Sequence, residues 1–277
     1  MAFFLGFMAI FSRLFPASAS RLALRMMTTP RPGSAMRGDD VVAGKMEQTM
    51  PVGSRACLRV CPGGPRRVLL VHGWSGHGKQ FQPLMNALGH EQYSFYVLQM
   101  PGHGAEADGT AHVGDFITTV RQALDVMGEP VDLVIGHSMG AAALAYVLAE
   151  RPEIRRAVLV STPADFHAVV GRMASFLRFG RRARQQLLDG MAGRVGMGYE
   201  VLDIARRGRH IQGEVLLIHD VQDREVPFTD TLRLHQALPA ARLLQTHGLG
   251  HRRLLSESSV HEAVQAFAGE PTVKVSA

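Results

Sequence analysis

The chain has 277 residues, of which 46% are apolar and 19% are charged, and its formal net charge is +6. This length and apolar content suit one large α/β core, and no internal repeat divides the chain. Although the net charge is positive, the sequence contains no nucleic-acid-binding motif, so we predict that nucleic acid is not a partner.

The first fifty residues differ in composition from the rest. Residues 1–11 are almost wholly apolar, and five arginines occur before Asp39, the first acidic residue. A helix needs about 20 apolar residues to span a bilayer, so this run is too short to do so. We predict that residues 1–50 form an amphipathic or flexible segment that packs on the domain. Two alternatives stay open: weak association of residues 1–38 with a membrane surface, or an organelle-type leader.

From residue 51 onward, strand-like and helical patterns alternate. Residues 110–127 carry apolar side chains three and four positions apart, which predicts a helix with one buried face. Strand-like runs occur near residues 55–60, 67–71, 93–98, 131–135, 157–160, 214–218 and 241–245. This alternation predicts an α/β domain over residues 51–277, in which crossover helices join parallel strands.

Two cysteines, Cys57 and Cys61, fall in the first strand-like run. Extended residues four apart are separated by roughly 13 Å, which is too far for a disulfide. We therefore predict reduced thiols and a cytoplasmic location, with peripheral contact to a membrane as the alternative. No histidine, cysteine and carboxylate spacing indicates a zinc site, so neither a metal nor a cofactor is predicted.

A loop rich in small residues follows the run over residues 67–71. It extends from His72 to Gly78 and contains three glycines, which let the main chain approach a neighbouring site closely. The loop is therefore a candidate source of backbone N–H donors. We expect His72, and likewise His103 and His137 in later turns, to bond loop backbone rather than to act chemically.

The most informative motif is Gly136-His-Ser-Met-Gly140. It follows the apolar run over residues 131–135 and precedes a helix-forming stretch over residues 141–150, the layout of a nucleophile elbow. The sharp turn requires small residues at positions 136 and 140, strains Ser138 and exposes its hydroxyl. Ser138 is the candidate nucleophile, and we assign the oxyanion hole to the backbone amides of Trp74 and Met139.

Residues 163–212 separate two strand-like runs and form an insertion. It contains many large apolar residues, which either pack a helical cap onto the body or line an acyl pocket. It also contains nine arginines and few acidic residues. A solvated basic face is the simplest explanation, and attraction of an anionic substrate or membrane is the alternative.

An exposed serine needs a base and a group that orients the base. Asp223 lies on the loop after the run over residues 214–218, and His251 lies beyond the run over residues 241–245. We assign Asp223 as the acid and His251 as the base. Asp165, which follows an earlier strand, competes with Asp223, whereas Asp220 is expected to bond its own turn. His219 and His247 flank these loops and are interpreted as structural.

The chain resembles the α/β-hydrolase fold family over about residues 52–268, because five sequence motifs occur in the same order as in that family. The motifs are His72-Gly-Trp74, Pro101-Gly-His-Gly104, Gly136-His-Ser-Met-Gly140, Asp223-Arg-Glu-Val-Pro227 and Gly250-His251. The resemblance implies a mostly parallel central sheet flanked by helices on both faces, with a helical cap insertion. It also implies a catalytic triad of Ser138, Asp223 and His251.

The resemblance implies a carboxylesterase-like acyl hydrolase that acts on a small-molecule apolar ester through an acyl-enzyme. Thioesterase, lipase-like and carbon-carbon bond hydrolases would carry the same triad, so these alternatives stay open. A non-catalytic ligand-binding protein on the hydrolase scaffold is the alternative from another class.

Overall fold

The computed structural model describes residues 2–31, 48–103, 109–128, 130–238 and 240–270. Gly104, which belongs to one of the family motifs, and residues 32–47 lie outside these ranges. The described ranges contain eight strands: β1 (Gln48–Val52), β2 (Ala56–Cys61), β3 (Arg66–Val71), β4 (Tyr93–Gln99), β5 (Leu133–His137), β6 (Arg156–Val160), β7 (Glu214–Asp220) and β8 (Ala241–Thr246).

Eleven α-helices accompany the strands within the same ranges. They are α1 (Ala2–Leu14), α2 (Pro16–Thr28), α3 (Gln82–Leu88), α4 (Val113–Met127), α5 (Met139–Leu148), α6 (Phe166–Phe176), α7 (Arg181–Val195), α8 (Ile204–Gly208), α9 (Phe228–Ala237), α10 (Gly250–Arg253) and α11 (Ser258–Gly269). The predicted helix over residues 110–127 begins at Val113 because His112 and Asp115 form a capping box at that point.

All eight strands form one sheet, in the order β1-β2-β4-β3-β5-β6-β7-β8. Strand β2 is antiparallel to β1 and to β4, and every other neighbouring pair is parallel. The predicted mostly parallel sheet is therefore confirmed. Strands β5 and β6 are buried along their whole length, which explains why their sequences are nearly continuous apolar runs.

Strand β1 is an element that the sequence analysis did not predict. Its sequence begins with two polar residues, Gln48 and Thr49, and contains Pro51, and neither feature is typical of a central strand. The strand lies at the edge of the sheet and pairs only with β2, a position where proline is tolerated. In β2, Cys57 and Cys61 are both free thiols, as predicted.

Apolar side chains fill the space on both faces of the sheet. Leu69 and Val71 of β3 belong to a core that also contains residues of α4, α5 and the insertion helices. Val68 and Leu70, which point the other way, pack with residues of α3 and α11. Helices therefore cover both faces, as the family resemblance implies.

The insertion helices α6 and α7 and the N-terminal helices α1 and α2 pack together, whereas α8 contacts α5 and α9. Helix α2 lies against α7, and α1 contacts both. Most of the large apolar insertion residues join the main core, including buried Leu177, Leu187 and Met191. Over the described part of the chain, no helix has both the length and the apolar content needed to cross a membrane.

Candidate active site

The strand β5, the turn at Ser138 and the helix α5 form the predicted elbow. Ser138 has φ 55° and ψ −123°, a conformation that non-glycine residues rarely adopt. A Cβ atom on Gly136 would lie 2.6 Å from the Cα of Ala141, and one on Gly140 would lie 2.4 Å from the carbonyl oxygen of His72. Glycine is required at both positions because the backbone passes too close for any side chain.

The loop after β3 lies directly against the elbow. A Cβ atom on Gly73 would come within 2.8 Å of the Cβ of Ser138, so the two backbones are in contact here. Trp74 follows Gly73, and its indole packs against the rings of His103 and Phe116. The amide of Trp74 and the amide of Met139, the first residue of α5, both belong to the backbone next to Ser138.

The structure brings His251 and Asp223 together. His251 Nδ1 lies 2.7 Å from Asp223 Oδ2, and both side chains are buried. The other carboxylate oxygen, Oδ1, accepts hydrogen bonds from the backbone amides of Glu225 at 2.8 Å and Val226 at 3.0 Å. These bonds fix the carboxylate and leave His251 Nδ1 as the proton donor, so that Nε2 is free to accept a proton.

A second imidazole contacts the same carboxylate. His219 Nε2 lies 3.3 Å from Asp223 Oδ2, and this ring is fully buried. Burial by itself raises the pKa of Asp223, but the hydrogen bonds from His219, His251 and the Val226 amide outweigh burial and hold this pKa well below its ordinary value. Asp223 is therefore ionised at neutral pH.

His137 supports the position of His251 from the opposite side. Its Nε2 donates a hydrogen bond to the carbonyl oxygen of His251 at 2.9 Å, and the two ring centroids are 4.8 Å apart. Its Nδ1 lies 3.4 Å from Nε2 of Gln80. Burial and the nearby His251 lower the pKa of His137 to about 3, so this ring is neutral.

Ser138 and His251 line the same cavity, which has a volume of about 120 Å³. Trp74 and Leu255 supply apolar parts of its wall. Glu225, about half exposed, places Oε2 3.9 Å from His251 Nε2. Its Oε1 lies 3.5 Å from Nε of Arg252, so an ion pair stands at the wall of the cavity.

The two other acids considered for the triad, Asp165 and Asp220, have different hydrogen-bond partners. Asp165 caps α6 by accepting from the His167 amide at 2.8 Å, and it pairs with Arg233 at 3.5 Å. Asp220 accepts from the Gln222 and Leu249 amides and from the Thr246 hydroxyl, all at 2.9 Å. Asp220 thus bonds its own turn, as predicted.

Three neighbours of the candidate acid and base were not predicted from the sequence. His137 and His219 were interpreted as structural, and Glu225 was not considered. The backbone bond of His137 agrees with that interpretation, but its acceptor is His251 itself. For His219, its position at the end of β7, four residues before Asp223, is the signal that could have identified it.

The residues predicted to bond loop backbone do so. His72 Nδ1 donates to the carbonyl oxygen of Gly73 at 2.8 Å, and His103 Nδ1 donates to that of Pro101 at 2.8 Å. Burial and the neighbouring His103 lower the pKa of His72 to about 3. Within the described ranges, no group of three or more histidine, cysteine or acidic residues is arranged to hold a metal ion.

The fold, the elbow and the order of the site motifs define a class of protein, and comparison with known proteins agrees with it. The chain belongs to the α/β-hydrolase fold family. Residues 65–193 match the model of the serine aminopeptidase S33 family, and residues 200–276 match that of the TAP-like protein family.

Three known proteins illustrate the similarity. A pimeloyl-[acyl-carrier protein] methyl ester esterase of Xanthomonas campestris pv. campestris is 32% identical over 124 residues, which cover 43% of this chain and 47% of the relative. A thermostable monoacylglycerol lipase of Bacillus sp. (strain H-257) is 28% identical over 134 residues, covering 46% and 53%. The chain thus spans about half the length of these relatives.

The third is a solved structure. An esterase of Pyrococcus furiosus superposes with a TM-score of 0.64 at 18% identity, covering 89% of this chain and 99% of that one. At this identity the likeness concerns the fold.

Proposed function

We propose that the protein is a serine hydrolase that cleaves carboxylic esters with a triad of Ser138, His251 and Asp223. The observation that carries this proposal is the 2.7 Å bond between His251 Nδ1 and Asp223, in a cavity that Ser138 also lines. The strained backbone of Ser138 supports it, since such strain clusters at functional sites.

In the proposed reaction, Ser138 Oγ attacks the ester carbonyl carbon while His251 Nε2 takes the hydroxyl proton. Asp223, ionised because of its hydrogen bonds, holds the imidazole with Nδ1 protonated and stabilises the imidazolium that forms. The backbone amides of Trp74 and Met139 would donate to the developing oxyanion. His251 then protonates the leaving alcohol, and water repeats both steps on the acyl-enzyme.

The relatives' names support an oxygen ester as the substrate. One is named a methyl ester esterase and the other a monoacylglycerol lipase, and the substrates in both names are oxygen esters. We propose a small-molecule apolar ester for this chain, with Trp74 and Leu255 as its apolar contacts. Neither a metal nor a cofactor enters this mechanism. Weak association with a membrane surface through residues 1–38, of which 1 and 32–38 lie outside the described residues, is part of the proposal, as is a cytoplasmic location.

The first test is covalent labelling with a fluorophosphonate probe, together with turnover of p-nitrophenyl esters of increasing acyl length. The wild-type chain should be labelled and should hydrolyse short or medium esters. Ser138→Ala should lose labelling and about 10³-fold or more of its turnover, because removal of the nucleophile leaves only oxyanion and binding effects.

Ser161→Ala is the matched control. Ser161 also has a positive φ at a strand end but is fully buried, so its loss should leave labelling unchanged. An unlabelled wild-type chain that still binds esters would favour the alternative of a non-catalytic binding protein. Labelling that persists in Ser138→Ala would remove Ser138 from the nucleophile role.

A further inference from the structure

Helix α1 presents an apolar face to solvent. Phe3 is 91% exposed, Phe7 53%, Ile10 64% and Leu14 67%. These positions are spaced by four, three and four residues, so they lie on a single face of the helix. We call these four residues the outer face of α1.

The opposite side of α1 is occupied by the protein. Met8 is buried in the main core, Leu5 packs against that core, and the Ser12 hydroxyl accepts a hydrogen bond from the Gly180 amide at 3.1 Å. Helix α1 is therefore apolar on two sides, with Arg13 as its one charged residue. Helices that are apolar all round are normally covered on all sides, and no described residue of this chain covers the outer face.

Exposed apolar residues also occur on α2 and at the turn that joins it to α1. Leu22 and Met26 are 40% and 42% exposed, and Phe15, between the two helices, is 57% exposed. Contiguous apolar surface of this kind on a protein exterior marks an interaction site rather than ordinary scatter.

Positive charge surrounds this surface. Arg13, Arg21 and Arg25 are exposed on the two helices, and residues 2–31 contain no acidic residue. Arg13 also lies beside Gly180, since a Cβ there would contact its Cγ at 3.2 Å. Gly180 in turn adjoins further exposed arginines of the insertion, which are Arg178, Arg181 and Arg182. The occupant of the outer face must therefore combine apolar groups with negative charge.

We infer that the outer face of α1 and its surrounding arginines dock the protein on an anionic lipid bilayer. An apolar helix face that enters the acyl boundary, with arginines at the headgroup level, is the chemistry of interfacial helices. A second copy of the chain is a poorer occupant, because it would bring the same arginines and no carboxylate from its own residues 2–31.

Contacts connect the docking helices to the candidate active site. Beyond the end of α2, the Arg31 amide donates to the Ser75 hydroxyl at 3.1 Å, and Ser75 lines the cavity that contains Ser138. The Thr28 carbonyl oxygen, at the end of α2, accepts from the Ala111 amide at 2.9 Å. The chain at the end of α2 is thus hydrogen-bonded to a residue of the cavity wall. This arrangement suits a substrate that is taken from the membrane.

The test is cosedimentation of the full chain with vesicles of equal parts phosphatidylcholine and phosphatidylglycerol, and with vesicles of phosphatidylcholine alone. It needs no turnover, so its result is independent of the proposed hydrolase activity. The wild-type chain should bind the anionic vesicles, should bind the neutral ones at least about tenfold more weakly, and should dissociate as salt is added.

Two variants separate the contribution of the apolar face to vesicle binding from that of the arginines. Replacing Phe3, Phe7, Ile10 and Leu14 together by Ser should weaken binding to anionic vesicles by about tenfold or more. Arg181→Gln with Arg182→Gln leaves the apolar face intact and should weaken binding to anionic vesicles by roughly 25-fold, since each arginine near such a surface contributes about fivefold. The control is Val126→Ser with Leu232→Ser, at two exposed apolar positions outside α1 and α2.

The control should bind like the wild type, and all variants should keep the wild-type circular dichroism spectrum. Absence of binding to anionic vesicles would overturn the inference. Equal binding to both vesicle types would also overturn it, as would a dimer in sedimentation that the four-serine variant dissociates, because the outer face would then be a contact between copies.

Discussion

At the residue scale, the Asp223 carboxylate is held by four hydrogen-bond donors. Two are imidazoles, His251 and His219, and two are backbone amides of its own loop. A carboxylate bonded in this way keeps its charge and cannot rotate, which is what orientation of a general base requires. Asp165 has different partners. Its carboxylate caps the N-terminus of α6 and pairs with Arg233, so it stabilises local structure.

Comparison of Asp223→Asn with Asp165→Asn tests the assignment of the acid. Asp223→Asn should lower kcat by about 10³-fold or more, because an amide neither stabilises the imidazolium nor keeps the tautomer. Asp165→Asn preserves a good N-cap and loses one partly exposed ion pair, so stability should change by no more than about 1 kcal/mol.

The readout is kcat with a p-nitrophenyl ester, alongside urea unfolding of each variant. Activity should survive in Asp165→Asn. If instead the Asp165 variant is the one that loses turnover while Asp223→Asn retains it, the acid has been assigned wrongly.

At the element scale, the junction of β5 and α5 depends on close backbone approach more than on side-chain packing. Gly140 touches the carbonyl of His72, so the elbow and the loop after β3 are fixed against each other. Small residues were predicted at positions 136 and 140, and these contacts give the reason. The proposed oxyanion donors sit on the two segments that this contact joins.

Gly140→Ala should therefore destabilise the protein by about 1–3 kcal/mol, the usual cost of overpacking. It should also lower kcat/KM by about tenfold or more, because the backbone around Ser138 must shift. Gly193→Ala is the matched control: this glycine lies within α7 with no atom within 4 Å of an added Cβ. Alanine there should stabilise by up to about 1 kcal/mol.

Urea unfolding and steady-state kinetics of both variants give the comparison. A Gly140→Ala protein that matches the wild type in stability and in kcat/KM would show that the elbow tolerates a side chain and that its tight packing is unimportant.

At the scale of the whole molecule, two histidines buried beneath the site couple folding to pH. His72 and His137 each have a pKa lowered to about 3, mainly by burial. An unfolded chain has ordinary histidines with a pKa of about 6.5, so below this pH the unfolded state binds protons that the folded state does not. Stability therefore falls as the pH decreases from about 6.5 towards 3.

We expect His72→Gln to reduce the slope of the unfolding free energy against pH by about 1.4 kcal/mol per pH unit between pH 4 and 6, since it removes one such proton. The measurement is urea unfolding at several pH values in this range. Phe116→Leu is the control: this buried ring contacts His72, and its truncation should lower stability equally at every pH. An unchanged slope in His72→Gln would mean that the folded protein protonates this ring.

Local sequence determined most of the architecture. The strands of the parallel sheet could be predicted as apolar runs because helices cover both faces of the sheet. The elbow could be predicted from a pentapeptide because the turn at Ser138 is formed by consecutive residues. Edge strand β1 was not predicted because its sequence, with two polar residues and Pro51, carries no strand pattern. It forms a strand because it pairs with β2.

Tertiary structure decided what depends on residues far apart in the chain. The sequence placed two acids, Asp165 and Asp223, after strands, and only the fold shows which one contacts His251. The same holds for the contact between His137 and His251 and for the outer face of α1, whose exposure follows from packing of its other side on the insertion. A pattern along the chain specifies which residues are apolar or strained, but a contact across more than a hundred residues exists only once the backbone has folded.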